Sequence, residues 1–491
     1  MPSTDRFPRG GVSRRALLMG VVILCVALGA IALKSITDSS TPTPPQPVNY
    51  HEQYAALAKA TQPEGENGWP ALAAALDELQ QILRADIEGI EPDSDLLQTI
   101  RSFDRVRKGP FDSELIAPER LLLKRIRSSG VLDRIDAALA KPRIVREDYG
   151  DPSVMMMNIL LPELSAARDL GKVSAAMMRI ALYERDDDAF IRALDRSLRT
   201  AQVMSRQPIP ISHLVAMAAG EMVMREACWS IREFGCGHET ISRAMVCVQD
   251  HSTLADLTIA IEGDRLMVLD IIQRFHTDDG KGDGEFLADE YFRAVDDHWK
   301  AQYDIMQITG EKCPTRREVT DLAHSHYDTM IEQANLDPKT RARHPVDLGQ
   351  RVVDIPWRYF FLKEYLSPID RLRWTRDRYE LQRRAVPIAL ALERFHLRHG
   401  DWPESLSQLQ PEFKAELPTD PISAAAFGYK RREPTPDDPR EYWLYSLGLE
   451  ADDDGGHEAG DPDEAHHALM NPRWRAAGLD YIINRPRPAR D

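Results

Sequence analysis

Cysteine is scarce in this chain, with five residues in 491, and no two of them stand in a CxxC pair. That spacing is what a thiolate zinc finger needs, so a site of that kind is excluded. Cys25 lies in an apolar run, which leaves Cys228, Cys236, Cys247 and Cys313 in the body. An even number permits two disulfides in an exported protein, and Cys228 and Cys236 flank a Phe234-Gly235 turn. In a chain so long and so poor in cysteine, the expectation is that all four are small buried hydrophobes. Aromatic residues are also few, at 7%. HExxH, GxSxG, a phosphate-binding Walker loop and the dinucleotide glycine fingerprint are all missing, so the usual compact signatures of hydrolases and nucleotide enzymes give no support to catalysis. No fixed period near 34 residues recurs, which argues against a named solenoid repeat. Positive charge is in deficit as well. The net charge is −16; the first 34 residues carry +4, which leaves −20 on the remainder. No basic patch interleaved with aromatics offsets it, so nucleic acid is excluded as a partner.

What is present is a helical composition. Hydrophobic residues make up 43% and charged residues 29%, enough for a real core in two or three packed units. Ala, Leu and Met predominate over β-branched and aromatic residues, which favours helix.

Ala16 to Leu33 is an uncharged run of 18 residues, ALLMGVVILCVALGAIAL. As a helix it spans about 27 Å, close to the hydrocarbon thickness of a bilayer. Arg14 and Arg15 precede it, which places residues 1–15 in the cytoplasm and everything after Lys34 outside. The expectation is a single-pass anchor in the cytoplasmic (inner) membrane, spanning 16–34. Ser13-Arg14-Arg15 also resembles a twin-arginine export signal, and Ala30-Ile31-Ala32 is a small-x-small cleavage triplet. Cleavage there frees the body from the membrane but leaves its topology unchanged. Residues 35–49 follow as a Pro/Ser/Thr linker, DSSTPTPPQP at its centre, a semi-extended spacer.

From 50 to 384 the pattern is helical, and it predicts an α-helical body of stacked antiparallel helix pairs. Trp69 to Arg84 opens on Pro70 and sets Leu72, Leu76, Leu79 and Leu83 on one stripe. A second helix starts at Pro162 and runs to Tyr183; others span Asp188 to Met204 and His213 to Glu233. Met155–Met157, Met204, Met217, Met222 and Met224 are expected as core filling rather than as an adaptable binding face. The aromatic stretch Trp357 to Leu366 reads as a buried helix beneath the C-terminal module, against the alternative of a membrane-surface contact. The Arg-rich helix Arg371 to Arg384 interleaves Asp and Glu, which predicts self-paired charge rather than an anion site.

At 385–460 the texture changes to a small α+β module with a β-hairpin, ahead of an acidic and polar tail at 461–491. A helix bearing Ile388, Leu392 and Phe395 ends at His399-Gly400. Strands are expected over Phe427–Arg432 and Tyr442–Leu447. The order of its motifs is Trp402-Pro403, Leu417-Pro418-Thr419-Asp420-Pro421, Tyr445-Ser446-Leu447-Gly448 and Asp452-Asp453-Asp454-Gly455-Gly456. Over about 75 residues it resembles the C-terminal module of the major pseudopilin of bacterial type II secretion systems. The resemblance implies a Ca²⁺ ion in the acidic loop, with Asp452, Asp453, Asp454 and Asp461 as ligands. Clustered carboxylates are the hard oxygen donors that Ca²⁺ prefers. Two departures count against a polymerising pilin subunit. Ala16–Leu33 has neither the Gly-Phe-Thr-type peptidase site nor the Glu of that family, and a long helical body separates it from the module. The whole chain resembles bacterial membrane-anchored helical proteins with such a tail.

A second cation candidate runs from Asp279. With Asp279 as position 1, Asp283 falls at 5, Gly284 at 6 and Glu290 at 12, and Glu285 adds a further carboxylate. These are EF-hand offsets, broken by Lys281 at position 3. His457, His466 and His467 stand among carboxylates near the C-terminus and read as solvated. The functional expectation is an extracytoplasmic scaffold or interaction protein tied to a secretion or cell-envelope system, with a partner on the helical body. The alternative is an exported hydrolase or lyase whose site is assembled from dispersed residues.

Overall fold

The computed structural model describes residues 48–485, apart from 61, 87–93, 108–110, 113, 279–280, 295–298, 367–369, 414–415, 436–437, 439, 450 and 457–479. The expected anchor, Ala16–Leu33, lies outside these residues. Among them no helix is long and apolar enough to cross a membrane. The described residues are mainly helical, at 66% helix in eighteen helices, with one small antiparallel sheet.

The centre is built on helices Pro162–Tyr183, Asp187–Ser205 and Pro210–Phe234, each packed on the other two. Links of three or four residues join them, and each link ends in a start signal. Pro162 and Pro210 occupy first turns, where a missing N–H costs nothing. The Asp186 carboxylate accepts from the Ala189 N–H at 2.9 Å. Helix Pro162–Tyr183 is buried almost all round, through Ala166, Ala167, Leu170, Ala175, Ala176 and Ala181. Its small side chains let neighbouring backbones come close: a methyl at Gly171 would lie 3.2 Å from Ala219 Cβ. Met204, Met217 and Met224 are buried in this core, Met155, Met157 and Met222 pack on its edge, and Met156 is buried in a second cluster with Tyr54 and Tyr149.

Helices Trp69–Arg84 and Val131–Leu139 pack on Pro162–Tyr183 and Asp187–Ser205, and Leu257–Arg274, which carries Arg316–Asn335 and Tyr50–Lys59, packs on Pro210–Phe234. Leu72, Leu76, Leu79 and Leu83 are all buried, as their spacing predicts. The stretch around Phe360, Phe361 and Tyr365 is buried too, but against Phe286, Tyr291, Phe292 and Tyr303 rather than beneath the C-terminal module. Aromatic rings scattered over 80 residues of sequence find each other there, a clustering no local period reveals.

Helix Asp370–His399 lies on Pro210–Phe234 and His238–His251 and runs straight through the residue 385 position where the module was expected to begin. Pro387 sits inside it. The helix survives because Leu381, Ala385, Val386, Ile388, Leu390 and Leu392 are buried around the proline, and that burial outweighs one lost hydrogen bond. Gly400, at φ 74°, closes it. Beyond it come β1 (Gly428–Arg431), β2 (Tyr442–Ser446) and β3 (Tyr481–Ile482), in the order β1-β2-β3. Gly428 pairs with Tyr445, and Tyr445 with Ile482. One apolar cluster extends from Trp69 to Ile483, so module and body share a core.

Candidate functional site

The Leu417–Pro421 motif contributes a buried carboxylate. Asp420 is fully buried and accepts from the Ser446 hydroxyl at 2.7 Å, the Ser423 hydroxyl and Ile422 N–H at 2.8 Å, and the Leu447 N–H at 3.2 Å. Burial pushes its pKa up while these donors hold it back. It ties the Pro421–Ala424 turn to the end of β2, so this motif serves architecture.

The acidic loop after β2 is different. Asp452, Asp453 and Asp454 are exposed; Asp461 lies outside the described residues. Asp453 accepts from the Tyr445 hydroxyl at 2.7 Å and from the Gly455 N–H at 2.9 Å. Gly455 and Gly456 turn the chain at φ 72° and 84°. A side chain at Gly456 would come within 2.5 Å of the Trp443 ring, so glycine is required twice over. The turn delivers the Gly456 N–H to Asp480, 2.8 Å from Oδ2. Asp480 is only 2% exposed, and its Oδ1 has no hydrogen-bond partner among the described residues. Burial, reinforced by the charges of Asp453 and Asp454, pushes its pKa up to about 6, against the pull of the Gly456 N–H. The Lys430 ammonium approaches the turn at Gly455. Asp480 escaped the sequence reading because 23 residues separate it from Gly456; the apolar Tyr481-Ile482-Ile483 run after it was the available signal.

The fit to Ca²⁺ rests on that donor set. It offers several carboxylates, one of them buried with an oxygen that has no partner among the described residues, on a loop turned by two glycines. Asp480 joins Asp452, Asp453 and Asp454 as a residue that would hold the ion.

The second candidate loop is a clasp. The backbone pairs 275–277 with 285–287, through Thr277 N–H to Glu285 O and Leu287 N–H to Phe275 O, both 2.9 Å. Gly284 is needed because a side chain there would meet the Thr277 carbonyl. The carbonyls of Gly282 and Gly284 accept from the Arg317 and Arg316 N–H groups at 2.7 and 2.9 Å, and the Arg317 guanidinium donates to Lys281 O. The position-7 carbonyl that an EF-hand would turn on a cation, that of Glu285, is thus engaged by the Thr277 N–H, while helix Arg316–Asn335 holds the loop through Gly282 and Gly284. Asp283 and Glu285 are exposed, Glu290 half-buried in the first turn of Ala288–Ala294, and Asp279 outside the described residues.

A polar cleft of about 110 Å³ is lined by Asp256, Leu257, Ala334, Arg341, Arg373, Arg376 and Asp377. Arg341 binds Asp377 at 2.8 and 3.1 Å, and Arg376 reaches Glu380 at 3.3 Å. Its three guanidinium groups face the carboxylates of Asp256 and Asp377 in the lining and that of Glu380 beside it. His213 is fully buried nearby, with neither ring nitrogen hydrogen-bonded among the described residues. Burial drops its pKa to about 3, with Arg376 adding to the fall. The Arg-rich helix is therefore only partly self-paired: Arg383 binds Glu380, but Arg378 crosses to Glu221.

Cys228, Cys236, Cys247 and Cys313 are all free thiols. His457, His466 and His467 lie outside the described residues. Comparison with family models, curated proteins and solved structures returns no match for this chain.

Proposed function

We propose that this chain is a non-catalytic, membrane-anchored extracytoplasmic interaction protein of a secretion or cell-envelope system. Ala16–Leu33 is its single-pass anchor, antiparallel helix pairs form its partner-bearing body, and a pseudopilin-like C-terminal module is ordered by Ca²⁺. The observation that carries the reading is Asp480, a buried carboxylate whose Oδ1 has no hydrogen-bond partner among the described residues, beside the charges of Asp453 and Asp454. Like charges so placed destabilise the loop, and a divalent cation relieves them. Ile305, Ile308 and Trp357, exposed beside a shallow apolar depression, support a protein-facing role for the body.

Calorimetric titration of Ca²⁺ into the detergent-solubilised full chain tests the cation. Binding heat and a rise in melting temperature are expected, both lost in Asp480→Asn. That variant should itself melt higher than the parent in chelator, because the repulsion is gone. A parent without heat or thermal shift ends the Ca²⁺ reading. For the topology, protease added to intact spheroplasts should digest the body; protection overturns it.

The second reading, a hydrolase or lyase built from dispersed residues, is favoured by the cleft of Arg341, Arg373 and Arg376 beside His213. A thermal shift with small carboxylates or phosphate, abolished by Arg373→Met, would move the balance toward it.

A further inference from the structure

Helices Asp187–Ser205 and His238–His251 pack side by side. Cys247 and His251 are four residues apart on the second helix and so share one face of it. Asp195 meets them from the first. His251 Nδ1 lies 2.6 Å from Asp195 Oδ1, and Cys247 Sγ lies 3.9 Å from the same oxygen. The thiol, the imidazole and the carboxylate offer one ligand atom each, all within 4.8 Å of one another. The His251–Asp195 approach is close but lacks hydrogen-bond alignment, so Nδ1 keeps its bonding capacity unspent. Cys247 is buried, while His251 and Asp195 are about 30% exposed, at 27% and 32% for their side chains. The group is therefore walled by protein on one side and open to water on the other.

We propose that Asp195, Cys247 and His251 form a binding site for a divalent metal ion of the zinc class, tying helix Asp187–Ser205 to helix His238–His251.

The donor set selects the metal. Thiolate and imidazole suit zinc and its neighbours, whereas Ca²⁺ takes oxygen alone. Three protein ligands with an open side match a tetrahedral ion whose fourth position holds water. Arg199 donates to Asp195 at 3.1 Å through Nε and fixes the carboxylate; its positive charge opposes a cation, and Asp250 on the facing helix works the other way. Burial, then the Asp195 charge, holds the Cys247 thiol protonated in the metal-free protein. Binding consequently exchanges the S–H bond for a sulfur–metal bond and releases that proton to water.

The test is a titration of Co²⁺ into the metal-stripped, reduced full chain in detergent, followed by absorption spectroscopy. One equivalent should produce a near-ultraviolet thiolate-to-cobalt band with the visible bands of a tetrahedral ion. One proton should be released, and Zn²⁺ should displace the cobalt while Ca²⁺ does not. Cys247→Ser, close in volume to the parent, should abolish the thiolate band. Asp195→Asn and His251→Ala should weaken binding by about tenfold or more, with circular dichroism unchanged. A parent with no thiolate band overturns the proposal. So does a band that persists in Cys247→Ser, which would assign it to Cys25, Cys228, Cys236 or Cys313.

Discussion

Asp264 illustrates how far single residues in this protein depart from what their sequence context announces. It sits in the middle of helix Leu257–Arg274, in a setting where an acid normally faces water, yet it is 6% exposed and accepts from the Tyr327 hydroxyl at 2.7 Å. Burial pushes its pKa up to about 6. An unfolded aspartate titrates near about 3.9, so between roughly pH 4 and 6 the folded state binds the extra proton. Stability from this group is therefore full below about pH 4 and falls as pH rises through 6, the reverse of an ion-paired aspartate. Asp264→Asn should stabilise the protein at pH 7 by about 2–3 kcal/mol, the worth of two pH units, and flatten the loss of stability between pH 4 and 6. Urea midpoints across that range check it; a variant as steep as the parent would show that Asp264 is not the group responsible. A buried pair beside it was equally illegible. Asp270 binds Arg274 at 2.9 Å, and Arg274 reaches the carbonyls of Pro152, Ser153 and Val154, pinning an irregular segment onto the helix. Only the i,i+4 spacing was visible in sequence, and on a helix surface that spacing means little. The methionines were legible because a flexible apolar side chain at helical spacing has one ordinary destination.

At the scale of elements, proline and glycine carried most of the readable information. The starts at Pro70, Pro162 and the Gly400 cap fall where backbone chemistry requires them. Pro387 runs against its local rule, which is a break, because the tertiary burial around it overrides that rule and is not local. Gly263 is the opposite case, a glycine whose reason appears only in the packed structure. A methyl there would lie 1.8 Å from the Pro208 carbonyl oxygen. Helix propensity alone makes Gly263→Ala favourable by about 1 kcal/mol. The contact reverses the sign, since helix Leu257–Arg274 must then back away from the 206–209 link, at a cost of about 1–3 kcal/mol. A lowered urea midpoint with an unchanged m-value is the expected result. A midpoint at or above that of the parent would mean that the link yields and that the close approach has no structural weight.

At the scale of the whole molecule, the acidic tail expected beyond residue 461 holds the last piece of the sheet. Residues 480–485 return to the body after the undescribed 457–479. There β3 pairs with β2, Asn484 exchanges hydrogen bonds with Leu444 and Tyr442 at 2.9 and 2.8 Å, and the Trp229 indole donates to Arg485 O at 2.9 Å. Charge and composition mark the surrounding stretch as solvated, and a two-residue strand is too short for any period to register, so this closure could not be read from sequence. Its consequence is that module and body are not separable units. Arg232 on helix Pro210–Phe234 binds Glu393 and the Tyr442 hydroxyl, both at 2.6 Å, completing the bond between helix and sheet. A chain ending at Gly478 should lose β3, Asp480 and the Trp229 anchor together. It should keep its helical circular dichroism, melt at a lower temperature, and be cleaved faster by protease within 428–456, with no rescue by Ca²⁺. Cleavage and melting equal to the full chain would instead make 480–485 an ornament of the sheet and remove the ground for placing Asp480 in the cation loop.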